Sequence, residues 1–197
     1  KTNLLMDQFS RLDYSFYSQP TLIVAATLLG KQLVKTEEDG SILSGLITEV
    51  ESYIGTEDLA CHARNGPTKR NQVMFGPAGR SYVYLTYGIH WMLNIVTEKN
   101  GFPAAVLIRG VNPVDGVQVM KQRRGSNQKE LSDGPAKLTQ AFGINRDWNN
   151  INLCDPKSDI YLNDLGRKTP AFAKSPRIGI NRTPEPWLSK PWNFKII

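Results

Sequence analysis

Two hairpin signals constrain the fold of this chain more than any other feature of its sequence. Each consists of two segments with alternating apolar and polar residues, separated by a short turn: Asp39-Gly40 in the first and Tyr87-Gly88 in the second. Such a pattern is typical of antiparallel strands joined by a tight turn. The predicted strands are residues 31–36 with 43–54, and residues 81–86 with 90–97.

Helices are predicted outside these hairpins. An Ala- and Leu-rich run begins after Pro20 and ends at Gly30, and residues 135–142 begin with proline and precede a glycine. A third helix, with a cationic end, is predicted at 114–124, and further strands at 104–111, 159–162 and 177–180. This mixture predicts one α+β domain over residues 1–197, with an antiparallel sheet, flanking helices and a protruding β-hairpin.

The composition narrows the class of protein and of partner. The 197 residues carry 24 Lys and Arg against 18 Asp and Glu, a net charge of +6 that fits a polyanion such as nucleic acid. Cys61 and Cys154 are too few for a disulfide framework or a zinc site, which predicts free thiols in a reducing compartment. The longest apolar run, 22–30, is too short to cross a bilayer, and residues 1–10 lack a signal-peptide pattern, so no membrane partner is expected.

Two carboxylates beside an aromatic ring on the second predicted strand could form the wall of a pocket. In a regular strand Glu49, Glu51 and Tyr53 share one face with Ile47. Hydrolysis of an N-glycosidic bond needs a carboxylate that takes a proton from water and stabilises the cationic sugar. The alternative is a solvated outer face, and the alternation leaves open which face is buried. The long loop that follows, 55–79, is of a length that usually indicates function.

The second hairpin carries aromatic rings on one face and at its tip. Tyr82 and Tyr84 point to one face, whereas Tyr87 lies at the turn and either inserts into a base stack or packs on the protein itself. Asn94, on the same face of the return strand as His90, either bonds the backbone or reads a base edge through its amide. Both pairs of alternatives stay open at this point.

Several short motifs occur in one order along the chain. They are TEVESYIG (48–55), HAR (62–64), MF (74–75), YVYLTYG (82–88), Asn94, VLIR (106–109), Pro113, DGPAKLTQA (133–141) and RIGI (177–180). With this order and spacing the chain resembles the alkyladenine (3-methyladenine) DNA glycosylase family from about residue 11 to residue 194. The resemblance implies a monofunctional base-excision enzyme that leaves an abasic site and uses no metal or organic cofactor.

The same resemblance implies the substrate and the catalytic residues. The expected partner is double-stranded DNA that contains 3-methyladenine, 7-methylguanine, hypoxanthine or ethenoadenine. Glu51 corresponds to the general base, and Arg109 and the backbone carbonyl of Ile178 correspond to groups that help it hold the attacking water. An arginine beside Glu51 would favour the ionised carboxylate that a base requires.

Roles in base and DNA binding follow from the resemblance as well. Tyr53, His62 and Tyr84 correspond to the rings around the flipped base, and Asn94 to the residue that disfavours the exocyclic amine of normal guanine. Tyr87 corresponds to the residue that is inserted through the minor groove into the vacated space. A purine can enter such a pocket only after it has been flipped out of the duplex. Stacking on the rings of the pocket offsets part of the free-energy cost of flipping.

Phosphate contacts are a further expectation. Arg70, Arg124 and Lys137 occupy positions that could meet phosphates, although 121–124 also fits a solvated helix end. The Ile89-His90 sequence at the hairpin tip departs from the bulkier neighbours of some relatives, which leaves the strength of insertion open. A monomer in the bacterial cytoplasm, at the nucleoid, is expected, or in the nucleus if the source is eukaryotic.

Two other functions are compatible with the residues alone. One is a hydrolase of small nucleosides or glycosides that uses Glu49 and Glu51 as an acid–base pair. The other is a non-catalytic protein that binds distorted DNA.

Overall fold

The computed structural model describes residues 10–125 and 130–197, and within them nine strands and four α-helices. The strands are β1 (Ser10–Arg11), β2 (Gln32–Thr36), β3 (Ile42–Ile54), β4 (Ser81–Thr86), β5 (His90–Val96), β6 (Ala104–Asp115), β7 (Ile160–Asp164), β8 (Phe172–Ser175) and β9 (Asn193–Ile196). The helices are α1 (Tyr14–Tyr17), α2 (Thr21–Leu28), α3 (Val117–Arg124) and α4 (Pro135–Phe142), with 3-10 turns at Gln72–Phe75 and Arg146–Trp148. Residues 1–9, which hold most of the segment examined for a signal peptide, lie outside the described residues.

All strand pairs of the sheet are antiparallel, in the order β1-β7-β2-β3-β6-β5-β4. The two predicted hairpins are β2–β3 and β4–β5, and the predicted α+β class is confirmed. β2 pairs with the first part of β3, and β9 pairs with residues 49–51 further along the same edge. The central strand β3 is therefore flanked on both sides where it carries its two glutamates.

The pairing of β3 with β6 is irregular near the glutamates. Its register shifts between Ile47 and Glu49 and again between Glu49 and Val50. Gly110 lies opposite the irregularity, and a Cβ atom there would come within 2.8 Å of the Thr48 hydroxyl oxygen. As a result Ile47 and Val50, three positions apart, both belong to the principal core. The prediction that Ile47 shares a face with Glu51 is wrong, because regular alternation stops at this bulge.

Two hydrophobic clusters fix the position of the site. The principal core joins α2 and α4 to the sheet through side chains such as Leu28, Phe142 and Ile108. A smaller cluster joins the 55–79 loop to the strands, and Tyr53 and Tyr84 pack against it. The long predicted loop thus covers the sheet beside the carboxylates.

The structure corrects two sequence-based boundaries and one predicted strand. β6 continues to Asp115, so α3 begins at Val117 and not at 114. Gly116 connects the two elements with a φ of +70°, and a Cβ atom at this position would overlap Leu43. Residues 177–180 form a loop and not a strand. Their backbone turns at Gly179, which has a φ of +81°. β8 and β9 were not predicted.

Other sequence-based expectations concern cysteines and membrane spans. Cys61 and Cys154 are both free, as predicted. In the part of the chain that the structure describes, no helix is both long and apolar enough to cross a membrane.

Candidate active site

A cavity of about 340 Å³ opens between the sheet, the 55–79 loop and the 177–180 loop. It gathers all the predicted catalytic and base-contacting side chains, together with the hairpin tip: Glu51, Tyr53, His62, Tyr84, Tyr87, Asn94, Arg109 and Ile178. Arg70, Arg124 and Lys137 are not among the residues that line it. A space of this size is within the range that small-molecule pockets occupy and can hold a single purine.

Glu51 is completely buried and accepts hydrogen bonds on both carboxylate oxygens. The Tyr53 hydroxyl donates to Oε2 over 2.8 Å, and the backbone N–H of Ile178 donates to Oε1 over 2.7 Å. The Asn193 amide also donates to Oε1, and Arg109 Nε lies 3.4 Å from the same oxygen. Four donors, from three strands and one loop, thus fix the orientation of the carboxylate.

Glu49 has a different environment. Its Oε1 accepts hydrogen bonds from Arg109 and from Asn193, each over 2.9 Å, and Lys195 lies 3.2 Å from Oε2. Burial opposes ionisation of Glu49, but the hydrogen bonds from Asn193 and Arg109 outweigh it and lower the pKa of the carboxyl. Glu51 lines the cavity and Glu49 does not, so the structure separates two acids that the sequence pattern left equivalent.

One wall of the cavity is aromatic and uncharged. His62 Nδ1 lies 2.9 Å from the Tyr82 hydroxyl, and the His62 and Tyr84 ring centroids are 4.4 Å apart. Although one side of His62 is open, burial against these rings, with smaller contributions from Arg70 and Arg64, lowers its pKa to about 4. Burial likewise raises the pKa of Tyr84 to about 12. Both rings are therefore neutral at physiological pH and suit a stacked purine.

Tyr53 is held from behind by a buried ion pair. The Arg177 guanidinium carbon lies 4.7 Å from the Tyr53 ring centroid, and Arg177 binds Asp58 through two hydrogen bonds of 2.6 and 2.9 Å. The same guanidinium donates to the Ser52 carbonyl on β3. Arg177 thereby fixes the start of the loop that presents Ile178.

Asn94 is buried, and its side-chain nitrogen donates to the Tyr82 carbonyl over 3.1 Å. It lines the cavity as well. The two alternatives drawn from the sequence are compatible, because the backbone bond fixes the orientation in which the amide meets the cavity.

The tip of the β4–β5 hairpin projects from the protein. Tyr87 has a φ of +50° and Gly88 a φ of +72°, the combination of a type I′ turn. The Tyr87 side chain is 89% exposed, and Ile89 beside it is 70% exposed. The turn thus presents two apolar side chains to solvent at the mouth of the cavity.

The comparisons with known proteins identify the family. A sequence model described as methylpurine-DNA glycosylase matches residues 15–197. The chain belongs to this family. It is accordingly a DNA glycosylase of base excision repair, a hydrolase of N-glycosyl bonds that acts on DNA.

Relatives in this family cover most of the chain, and each of the following is provisionally named a 3-methyladenine DNA glycosylase. A protein of Chlorobaculum parvum is 43% identical over 180 residues, which are 90% of this chain and 85% of the relative. One of Methanocella arvoryzae is 44% identical over 93% of this chain and 90% of its own. One of Myxococcus xanthus is 44% identical over 94% and 89%.

The three cations predicted to meet phosphates lie at different places on this glycosylase. Arg70 donates to the Leu85 carbonyl beside the hairpin and lies 5.1 Å from the Tyr84 ring centroid. Arg124, at the end of α3, donates to Gln140 of α4. Lys137 is paired with Glu130 and Asp133, each over 2.9 Å.

Sequence reasoning missed three residues around the glycosylase site: Asp58, Arg177 and Asn193. Arg177 was visible only as the first letter of a motif, and Asp58 only as one acid within the long loop. Asn193 left no signal, because its partners are more than 140 positions away in the chain. Among residues 10–125 and 130–197, no group of three or more His, Cys, Asp or Glu side chains could hold a metal ion.

Proposed function

We propose that this glycosylase removes alkylated or deaminated purines from double-stranded DNA: 3-methyladenine, 7-methylguanine, hypoxanthine and ethenoadenine. The observation that carries the proposal is the buried Glu51 carboxylate, which lines a purine-sized cavity with neutral aromatic walls. Glu51 is the general base, and the product is an abasic site.

The reaction consumes only water. Glu51 takes one proton from a water molecule while the oxygen attacks C1′ of the deoxyribose, and the bond from C1′ to the purine nitrogen breaks. The electron pair of that bond leaves with the purine, which departs neutral when methylation has given it a positive charge. Hypoxanthine and ethenoadenine start neutral, so they leave as anions and take up one proton from water. Arg109 and the Ile178 carbonyl help to hold the water, and the Ile178 N–H holds the carboxylate itself.

The base is bound by stacking and by shape. Tyr53, His62 and Tyr84 surround the flipped purine, and a neutral His62 can bond to it without adding a charge. Asn94 disfavours the exocyclic amine of normal guanine. Stacking supplies about 1–3 kcal/mol per base, which offsets part of the cost of flipping.

Contacts outside the cavity hold the DNA. Tyr87 enters the duplex through the minor groove and fills the space that the flipped nucleotide leaves. Arg70, Arg124 and Lys137 contact phosphates, and Arg70 is nearest to the cavity because it lies against Tyr84 and Leu85. The chain forms one catalytic domain over residues 1–197 and acts as a monomer in the compartment that holds the DNA, the bacterial cytoplasm or a eukaryotic nucleus.

The geometry disfavours an acid–base pair made of Glu49 and Glu51. Glu49 lies outside the cavity lining and is bound by Arg109, Asn193 and Lys195. A carboxylate whose pKa is lowered in this way is a poor proton donor to a leaving group.

The test is an excision assay on duplexes that each hold one of the four lesions, with alkali cleavage to reveal abasic sites. We expect cleavage by the wild type and none by Glu51→Gln, which should still bind lesion-bearing duplex. Glu49→Gln should retain part of the activity. Hydrolysis of free nucleosides without excision from any duplex would support the small-molecule hydrolase instead. A gel shift without abasic sites would support the non-catalytic binder.

A further inference from the structure

Strand β9 reaches the glutamates from the side opposite to Arg109. In the β3–β9 pairing Asn193 lies opposite Glu51, and Lys195 lies opposite Glu49. Asn193 is buried, and the reaction described above assigns it no role. The Lys195 side chain is 65% exposed and contacts only Glu49 of the two.

One amide nitrogen joins the two carboxylates. Asn193 Nδ2 donates to Oε1 of Glu49 over 2.9 Å and to Oε1 of Glu51 over 3.2 Å. Arg109 Nε lies 2.9 and 3.4 Å from the same two oxygens. The two Oε1 atoms thus converge on a pair of shared donors, one on each neighbouring strand.

We propose that Asn193 is a positioning residue of the glycosylase reaction, whose neutral amide holds the Glu51 carboxylate correctly oriented beside Glu49. The inference rests on the proposed function, because it takes Glu51 as the general base. Two neighbouring carboxylates disfavour each other's ionisation, and donors between them offset that repulsion.

The neutrality of Asn193 matters because the surroundings of Glu51 already hold charges of both signs. Glu49 and the Tyr53 hydroxyl come from β3, Arg109 from β6, Lys195 from β9, and the Tyr84 hydroxyl from β4. An aspartate at 193 would have nearly the same volume but would add a third carboxylate and remove the donor. Asparagine supplies the donor and leaves the net charge unchanged.

The experiment measures single-turnover excision over a range of pH for the wild type, Asn193→Asp and Asn193→Ser. We expect the acid limb of the pH–rate profile of Asn193→Asp to move up by about one pH unit. Excision should then fall by about tenfold at pH values on that limb, where one unit corresponds to a tenfold change in the ionised fraction. Asn193→Ser should move the limb in the same direction by less. Binding of lesion-bearing duplex should stay within about twofold, because Asn193 does not line the cavity.

A rescue variant separates positioning from a loss of folding. Glu49→Gln combined with Asn193→Asp restores one amide and one carboxylate beside Glu51, so its acid limb should return toward that of the wild type. The matched control is Asn163→Asp on β7, where Asn163 lies opposite Gln32, and this variant should behave as the wild type does.

The two failures are distinguishable. An unmoved acid limb in folded Asn193→Asp and Asn193→Ser, with an active wild type and an inactive Glu51→Gln, would overturn the inference alone. Loss of excision in proportion to the loss of folded protein, without rescue by the double variant, would also overturn it. A wild type that excises none of the lesions would overturn the proposed function and this inference with it.

Discussion

The guanidinium of Arg177 and the carboxylate of Asp58 form a bidentate ion pair from which solvent is completely excluded. Asp58 also accepts hydrogen bonds from the backbone N–H groups of Ile54 and Ala60. One ion pair therefore joins β3, the long loop and the loop of Ile178.

Asp58→Asn should destabilise the protein severely, because it leaves the Arg177 charge buried without a counter-charge. Breaking a buried pair costs about 3–5 kcal/mol, and we expect a loss of unfolding free energy near the lower end, since the asparagine oxygen still accepts. Urea denaturation measures it. Lys137→Ala, which removes two exposed ion pairs, should leave the midpoint nearly unchanged; equal effects of the two substitutions would contradict the expectation.

Gly110→Ala should lower the excision rate by about tenfold or more, since misplacing a catalytic group by about 1 Å can cost 10²-fold. The added Cβ would come within 2.8 Å of the Thr48 hydroxyl oxygen and 3.3 Å of Glu49 Cβ, so the bulge that carries Arg109 must shift. Single-turnover kinetics measure the effect. Gly134→Ala is the matched control, because its Cβ would meet nothing closer than 3.8 Å. A Gly110→Ala variant with wild-type kinetics would show that the bulge is unimportant.

The imidazole of His62 should titrate at a pH of about 4, well below the usual 6.5 for histidine. Burial disfavours the protonated form, and the nearby Arg70 and Arg64 add to this effect. His62 therefore stays neutral from neutral pH down to about 5, and His62→Gln should leave the shape of the pH–rate profile unchanged in this interval. NMR titration of the ring checks it, and a midpoint near 6.5 would refute it.

Tyr87→Ser should weaken binding and excision much more on duplex than on single-stranded DNA. A nucleotide that is flipped out of a duplex leaves a gap in the base stack, and the exposed ring at the hairpin tip would fill that gap. Single-stranded DNA offers no such gap. Gel binding and single-turnover excision on both substrates measure the difference. Leu22→Ser, an exposed apolar residue on α2, is the control; equal losses on both substrates for Tyr87→Ser would argue against insertion.

Binding weakens as salt rises, and the slope is that of the logarithm of the binding constant against the logarithm of the salt concentration. Arg70→Ala should reduce the magnitude of this slope by about one, the change expected for one lost phosphate contact. Lys137→Ala should change that slope less, because Glu130 and Asp133 already neutralise its charge. Fluorescence anisotropy with a labelled duplex at several salt concentrations measures both slopes. A larger change for Lys137→Ala would place the main phosphate contact on the α4 side.

Local sequence patterns predicted the elements of the fold that depend on residues close together in the chain. The β2–β3 and β4–β5 hairpins follow from alternation and turn residues, and α4 from its proline start and the glycine that follows it. The face of Ile47 and the start of α3 were wrong, because a bulge and a strand extension depend on pairing with a distant strand. Residues 177–180 have a strand-like composition, but the Arg177 side chain is held by Asp58 and the segment turns at Gly179.

The candidate site rests on a different kind of sequence signal. The residues around the cavity were assigned from a resemblance in ordered motifs, since periodicity alone could not choose between Glu49 and Glu51. Asn193 was out of reach of both approaches. It has no motif around it, and its relation to Glu51 exists only once β9 has paired with β3.

Glu51 is carried by the central strand of the sheet, whereas His62 and Ile178 are carried by loops. Substitutions or small insertions in those loops can reshape the cavity while the carboxylate keeps its strand neighbours. Descendants of one ancestral glycosylase could thus acquire differently shaped cavities without rebuilding the strand that carries this carboxylate. Directed evolution toward a new damaged base should begin with the loops and leave β3 untouched.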